Sequence, residues 1–187
     1  KKAAAEYQKL ADAFSGEIIY RRRLAEFYER IGDEAAARRT YEDILRRNPE
    51  DPVAKIAVLQ KSKNSSDADY TAKLKQLFAD PKVALDAKVK ELLPFFPKLD
   101  AGNDAALTQN LLDLGATLES THPEDPKAWS LSGDLLYHAN RPAEALEKYR
   151  RCISLNPKVF SVWDNALTIL QDQKNYPDML KLGEQAM

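Results

Sequence analysis

Residues 126–157 read PKAWSLSGDLLYHANRPAEALEKYRRCISLNP, a stretch with two helix-forming halves separated by a short break. Trp129 and Gly133 are four residues apart in the first half, and Ala145 and Tyr149 have the same spacing in the second, so each pair shares one helix face. The break at 140–142 is Asn-Arg-Pro, which is typical of the end of one helix and the start of the next. We therefore predict a hairpin of two helices whose small residues let the backbones approach closely.

This hairpin pattern recurs along the chain. A shift of 34 residues aligns Ala3 with Ala37, Tyr7 with Tyr41, Pro123 with Pro157 and Trp129 with Trp163. Such a period is typical of stacked helical units, because one hairpin cannot bury both of its apolar faces alone. Only 6 glycines occur in the 187 residues, and the apolar residues favour Ala and Leu. We predict an all-α fold, an α-solenoid of antiparallel helix hairpins.

The positions of prolines and turn residues give the bounds of the predicted helices. Asp51-Pro52, Asp80-Pro81 and Asp125-Pro126 are predicted helix starts, because the Asp can cap the helix and Pro is tolerated in its first turn. The predicted helices are 2–14, 18–31, 34–47, 52–62, 68–79, 82–98, 104–120, 126–139, 142–154, 158–173 and 177–187. They form a single solenoid segment of about five hairpins, at 18–49, 52–80, 81–123, 126–157 and 158–187, after a partial helix at 1–15. We expect the segment to be a fragment of a longer protein.

The repeat resembles the tetratricopeptide repeat family. Residues 126–157 carry the pattern through Trp129, Gly133, Ala145, Tyr149 and Pro157. Residues 18–49 are similar to the family at a series of positions, with Arg21 in place of the tryptophan: Leu24, Ala25, Tyr28, Gly32, Ala37, Tyr41 and Pro49. The resemblance implies a right-handed superhelix and a protein that binds another protein or a peptide without catalysing a reaction.

Composition and charge argue against several other functions. The 28 Lys and Arg residues are balanced by 29 Asp and Glu, so no basic face for nucleic acid is expected. No apolar run approaches the length that spans a bilayer. With 2 His and 1 Cys, we expect neither a metal site nor a cofactor, and Cys152 is interpreted as a small buried hydrophobe. Asp134 and His138 could form an acid–base pair, but no nucleophile lies in sequence reach, so we predict no enzyme activity.

The family resemblance also implies which residues contact a partner. Ligands of such repeats bind the concave surface formed by the first helix of each hairpin. The corresponding residues here are Arg22, Glu26, Arg30, Ser130, Asp134, Tyr137, His138, Asp164, Asn165 and Thr168. We predict a protein or peptide partner, and self-association through uncapped ends is a second kind of contact to consider. The alternative is a regulatory or substrate-presenting segment of a larger enzyme whose catalytic domain lies outside this chain. Cytoplasmic and periplasmic locations both remain open.

One segment departs from the repeat. Pro94-Phe95-Phe96-Pro97 lies inside the predicted helix 82–98, where two prolines should end or kink the helix. The two aromatic residues either fill the core beside the extra residues of the third hairpin or face a ligand, and we favour the core.

Overall fold

A computed structural model describes residues 2–60 and 66–185 of the 187-residue chain. These residues form α-helices and one 3-10 turn, without a strand. The chain divides into two compact units, Lys1–Ser66 and Asp67–Met187. The all-α solenoid predicted from the sequence is confirmed.

Four helices make up the first unit. They are α1 (Lys2–Ala13), α2 (Ile18–Arg30), α3 (Glu34–Arg47) and α4 (Pro52–Gln60), and each packs against the next along the chain. The turn between α2 and α3 needs a left-handed residue, which Gly32 supplies at φ +75. Asp33 then caps α3 by accepting a hydrogen bond from the Ala36 backbone N–H at 3.0 Å.

Arg21 takes the structural role of the repeat tryptophan in the first unit. The indole Nε1 of Trp129 donates to the carbonyl of Pro123 at 2.8 Å, and that of Trp163 donates to Pro157 at 2.8 Å, in each case six residues back. The buried Arg21 donates through Nη1 to the carbonyl of Ser15, also six residues back, at 3.1 Å. Its Nε donates to Asp43 at 3.1 Å. The departure from the family pattern therefore preserves the hydrogen bond that ties a first helix to the preceding turn.

The second unit contains the remaining elements. They are α5 (Asp67–Ala79), α6 (Leu85–Leu92), a 3-10 turn (Leu93–Phe95), α7 (Phe96–Ala101), α8 (Ala105–Thr121), α9 (Pro126–His138), α10 (Pro142–Leu155), α11 (Phe160–Asp172) and α12 (Tyr176–Gln185). Helix α8 packs between α5 and α9, and α9 to α12 each pack against the next helix. Helix α7 also packs on α9. This last contact brings an irregular segment beside a regular hairpin.

The prediction of one helix at 82–98 was wrong. Asp80 accepts a hydrogen bond from the Lys82 backbone N–H at 2.9 Å and forms a turn, so α6 begins only at Leu85. The chain then changes to a 3-10 turn at Leu93–Phe95, where Pro94 lacks the N–H of a regular helix, and continues as α7 to Ala101. An Asp-Pro pair fits a helix start and a turn equally well, which explains the error at Asp80-Pro81.

The other predicted helix bounds agree with the structure to within about two residues, the usual uncertainty of helix ends. Residues 61 and 62 of the predicted helix 52–62 lie outside the described residues, as do 186 and 187 of the last helix. The predicted hairpin bounds stay a prediction.

Helices α9 and α10 approach each other at Gly133. A Cβ atom built on Gly133 would lie 2.5 Å from Cε1 and 2.7 Å from Cδ1 of Tyr149, far inside van der Waals contact. Ala145, on the facing helix, is completely buried. Small residues therefore allow the close approach, as the sequence predicts, and the Tyr149 ring lies over the glycine.

A buried lysine links three helices of the second unit. Lys88 on α6 is fully buried, and its Nζ donates to the carbonyl of Phe78 on α5 at 2.8 Å and lies 2.9 Å from Nε2 of His122 after α8. An ammonium group has no acceptor, so this imidazole nitrogen must be the unprotonated acceptor. Burial lowers the pKa of Lys88, and burial together with the Lys88 charge lowers the pKa of His122.

Candidate partner-binding face

A groove of about 520 Å³ opens between α6–α7 and α9 in the second unit. We call it the α6–α9 groove, and its lining residues are Asp86, Val89, Leu93, Phe96, Asp125, Pro126, Lys127, Ser130, Leu131, Asp134, Cys152, Asn156 and Val159. Its volume lies in the range of sites that hold small ligands or single side chains of a partner, about 300–1,000 Å³.

The wall formed by α6, the 3-10 turn and α7 is apolar apart from Asp86. Val89, Leu93 and Phe96 follow one another at helical spacing and line the groove together, with Leu131 on the opposite wall. Leu93 has 56% of its surface exposed, a high value for a leucine beside a buried core. Phe95, by contrast, is buried, so the two aromatic residues of this segment separate: one fills the core, as favoured from the sequence, and the other lines the groove.

Asp134 is one of the polar residues that line the groove. Its Oδ1 accepts a hydrogen bond from the Tyr149 hydroxyl at 2.8 Å, and the Asn165 side-chain amide lies at 3.4 Å. This network joins α9, α10 and α11. Both donors are neutral, so the hydrogen bonds that hold the carboxylate bring no positive charge to it.

Burial shifts the pKa of Asp134, and the charge of Asp134 in turn shifts the pKa of the nearby Cys152. Burial raises the pKa of Asp134, although the Tyr149 hydrogen bond and the charge of His138 act in the opposite direction. Burial and the Asp134 charge raise the pKa of Cys152 to about 11. The Cys152 thiol is therefore protonated at neutral pH, which removes the thiolate that nucleophilic chemistry requires.

The other charged groups of the groove have partners. The Lys127 ammonium lies 2.9 Å from Asp86 Oδ1, which joins the two walls near one end. Asp125 caps α9, since its Oδ1 accepts from the Lys127 backbone N–H at 2.9 Å. With Asp134, the groove has three carboxylates and one ammonium group, so its charge is negative.

A second cavity of about 850 Å³ lies at the other end of α9. Tyr137 and His138 line it, together with Asp100 and Asp172. His138 Nδ1 is 2.6 Å from Asp100 Oδ1, and the Phe96 ring meets the imidazole edge to face at 4.9 Å between centroids. The acid–base pair of Asp134 and His138 considered from the sequence is therefore not formed, because each side chain is bonded to another partner.

The residues predicted to bind a partner in the second unit lie in three places. Ser130 and Asp134 line the α6–α9 groove, and Tyr137 and His138 line the second cavity. Asp164 and Thr168 are exposed on α11, whereas Asn165 is half-buried against Asp134. The structure thus brings Asp134 and Asn165 together and separates them from the pair at the end of α9.

In the first unit, Arg22, one of the three residues predicted to bind a partner, makes an ion pair within the unit. The Arg22 guanidinium donates to the fully buried Asp51 at 2.5 Å, and Asp51 also caps α4 through the Ala54 backbone N–H at 3.0 Å. Glu26 and Arg30 are exposed. Arg22 therefore has a structural contact that the sequence pattern did not indicate.

Sequence reasoning missed the apolar wall of the groove. Val89 and Leu93 belong to a unit that lacks the repeat signature, so no family position could be transferred to them. The available signal was the spacing of Val89, Leu93 and Phe96 next to a proline pair, which indicates one apolar face on an interrupted helix.

Within residues 2–60 and 66–185, no cluster of three or more His, Cys, Asp or Glu side chains could hold a metal ion. In the same part of the chain, every helix is too short or too polar to cross a membrane.

Comparison with known proteins relates this geometry to a family. Residues 19–60 and residues 126–159 each match a family model described as tetratricopeptide repeat. A crystal structure of MamA is similar over 87% of this chain and 91% of its own, with 16% identity and a TM-score of 0.56. MamA from Desulfovibrio magneticus RS-1, residue 41 to its end, covers 89% of this chain and 91% of its own, with 13% identity and a TM-score of 0.56. No curated protein sequence matches the chain.

At these identities the solved structures show the fold alone, and the fold with its repeated hairpins defines an α-helical repeat protein of the solenoid class. The two matched segments and the residues that carry the pattern identify the particular family. The chain contains tetratricopeptide repeats at residues 19–60 and 126–159. Repeats of this family typically serve as interaction modules without catalytic activity.

Proposed function

We propose that the chain is a non-catalytic scaffold that binds a peptide or a partner protein on the face formed by the first helices of its hairpins. The observation that carries the proposal is the α6–α9 groove, which combines a volume of about 520 Å³ with an apolar wall that includes the exposed Leu93. Apolar side chains left in an open groove gain free energy when a partner removes them from water.

Several features of the second unit support a rigid binding face. The hydrogen bonds of Asp134 fix α9 against α10 and α11, and α7 is held on α9 through Phe96 and His138. A preformed groove loses little conformational freedom on binding, so more of the contact energy appears as affinity. Asp164 and Thr168 are exposed on α11, the helix that carries the Asn165 amide of this network.

The experiment compares two exposed leucines. Leu93→Glu places a charge in the groove, and Leu180→Glu makes the same change on α12, where the leucine is 71% exposed. Each variant and the wild-type chain would be used to capture partners from a lysate, and a recovered partner would then be titrated calorimetrically. We expect Leu93→Glu to lose the partner and Leu180→Glu to retain it. Unchanged affinity for Leu93→Glu would refute the groove as the binding site.

A further inference from the structure

From the chemistry of the α6–α9 groove we infer the kind of partner: an apolar peptide segment with a lysine or arginine whose cationic group reaches Asp134. This inference rests on the proposed function and deepens it, because it assigns a charge to the ligand as well as an apolar surface. The juxtaposition that carries it is a half-buried carboxylate facing the same groove as the exposed Leu93.

The state of Asp134 is the first argument. A carboxylate withdrawn from water is destabilised unless a positive charge compensates it. Its two hydrogen-bond donors, the Tyr149 hydroxyl and the Asn165 amide, are neutral. Burial therefore dominates and raises its pKa. The charge of His138 compensates Asp134 only in part, because burial still prevails, and a basic side chain of a ligand would supply further positive charge.

The basic side chain that lines the groove and the histidine that follows Asp134 on α9 have other partners. Lys127 of the groove is paired with Asp86 at 2.9 Å. His138, one helical turn after Asp134, lies 2.6 Å from Asp100. Neither forms an ion pair with Asp134 among the described residues, so a cation that enters the groove would not have to displace an existing partner.

The net charge of the groove also favours a positively charged ligand. Three carboxylates against one ammonium group favour a cationic ligand and oppose an acidic one. The exposed Asp164 on α11 makes no ion pair within the described part of the chain and is a further negative charge of the second unit. The side chains of Val89, Leu93 and Phe96 offer a purely polar peptide no hydrogen bonds, so the groove favours a ligand that also has apolar side chains.

The test uses a random peptide library displayed on phage and selected on the whole chain. Enriched peptides would be synthesised in two forms, one with the basic residue and one with its neutral counterpart, citrulline for arginine or norleucine for lysine. Dissociation constants would be measured by fluorescence anisotropy on wild type and on Asp134→Asn, which keeps an oxygen to accept the Tyr149 hydrogen bond. Glu184→Gln neutralises an exposed carboxylate outside the groove and serves as the matched control. Thermal unfolding would check that each variant is folded.

We expect enriched peptides to combine Leu, Phe or Met with Lys or Arg. Neutralising the basic residue should weaken binding to wild type about tenfold, the loss typical of a charge-assisted hydrogen bond, and should have little further effect on Asp134→Asn. Glu184→Gln should bind like wild type.

Two results would overturn the inference in different ways. If the peptides lose affinity for Leu93→Glu but bind equally well after the neutral replacement and to Asp134→Asn, the basic residue is not required for binding. The proposed function would then still stand. Peptides that bind Leu93→Glu as well as wild type, or a library that yields no enriched peptide, would contradict the groove itself and with it the proposed function.

Discussion

Replacing Gly133 with alanine should destabilise the second unit, although alanine is the better helix former. The new Cβ would lie 2.5 Å from Tyr149 Cε1, whereas carbon atoms prefer about 3.5–4.0 Å, so the ring or the helices must move by about 1 Å. The ring has little room to move, because it is buried and its hydroxyl is bonded to Asp134 at 2.8 Å.

The magnitude follows from two opposing effects. Overpacking of this kind costs about 1–3 kcal/mol, and the anchored ring places this site toward the upper end. The gain in helix propensity from glycine to alanine offsets about 1 kcal/mol. We expect a net loss of about 1–2 kcal/mol in the free energy of unfolding, and a decrease of about 3–6 °C in Tm.

Gly183 provides the matched control. It lies in α12, and a Cβ built there would meet nothing within 4 Å, so Gly183→Ala should gain up to about 1 kcal/mol from helix propensity alone. Urea unfolding would be followed by tryptophan fluorescence, which reports the second unit because Trp129 and Trp163 are the 2 tryptophans of the chain. If Gly133→Ala stabilised the protein as Gly183→Ala does, the close approach of α9 and α10 would be refuted.

Three further predictions concern other contacts. Ala145→Glu buries an unpaired charge at a completely buried position and should unfold the second unit, whereas the same change at the exposed Ala143 should leave Tm nearly unchanged. Circular dichroism would compare the two variants, and a wild-type Tm for Ala145→Glu would contradict the assignment of Ala145 to the core. Arg21→Trp should keep the hydrogen bond to the Ser15 carbonyl and much of the stability, whereas Arg21→Ala should lower the free energy of unfolding by about 1–3 kcal/mol. Hydrogen exchange of residues 18–47 would measure both variants, and equal protection in the two would argue against this hydrogen bond. Because the pKa of His122 is lowered by folding, the unfolded state binds more protons below the ordinary histidine pKa of about 6.5, so stability should decrease as pH falls through that range. His122→Gln should remove this part of the pH dependence in urea titrations at neutral and mildly acidic pH, and an unchanged difference between the two pH values would exclude the Lys88–His122 contact as its source.

The repeat made most of the fold predictable from the sequence. Trp129 recurs as Trp163, and Tyr7 recurs as Tyr41, at the period of 34 residues, so packing constraints at fixed spacing predicted stacked helices from the sequence. The exception lies at 81–101, where Asp80-Pro81 makes a turn and Pro94 starts a 3-10 segment. Local sequence signals there are compatible with more than one backbone path, and tertiary packing decides between them.

The candidate site was predictable only in part, for a related reason. Ser130 and Asp134 lie on a helix with the repeat signature, so their positions could be transferred from the family and both line the groove. Leu93 and Phe96 lie on α6–α7, where no signature exists, and their proximity to α9 depends on the break in the helix. The wall of the groove formed by α6–α7 lies outside the repeat pattern, and for that reason it could not be predicted from the sequence.

The packing of the hairpin and the chemistry of the groove depend on the same tyrosine. Gly133 makes room for the Tyr149 ring, and this position brings the hydroxyl to Asp134 at 2.8 Å. A ring displaced by Gly133→Ala would lengthen that hydrogen bond and remove a contact that lowers the pKa of the carboxyl group, so the pKa of Asp134 should rise further. NMR titration of the Asp134 carboxyl carbon in wild type and Gly133→Ala would measure the change. An unchanged pKa would show that the glycine serves helix packing without positioning the carboxylate, because the ring would then have accommodated the methyl group without moving its hydroxyl.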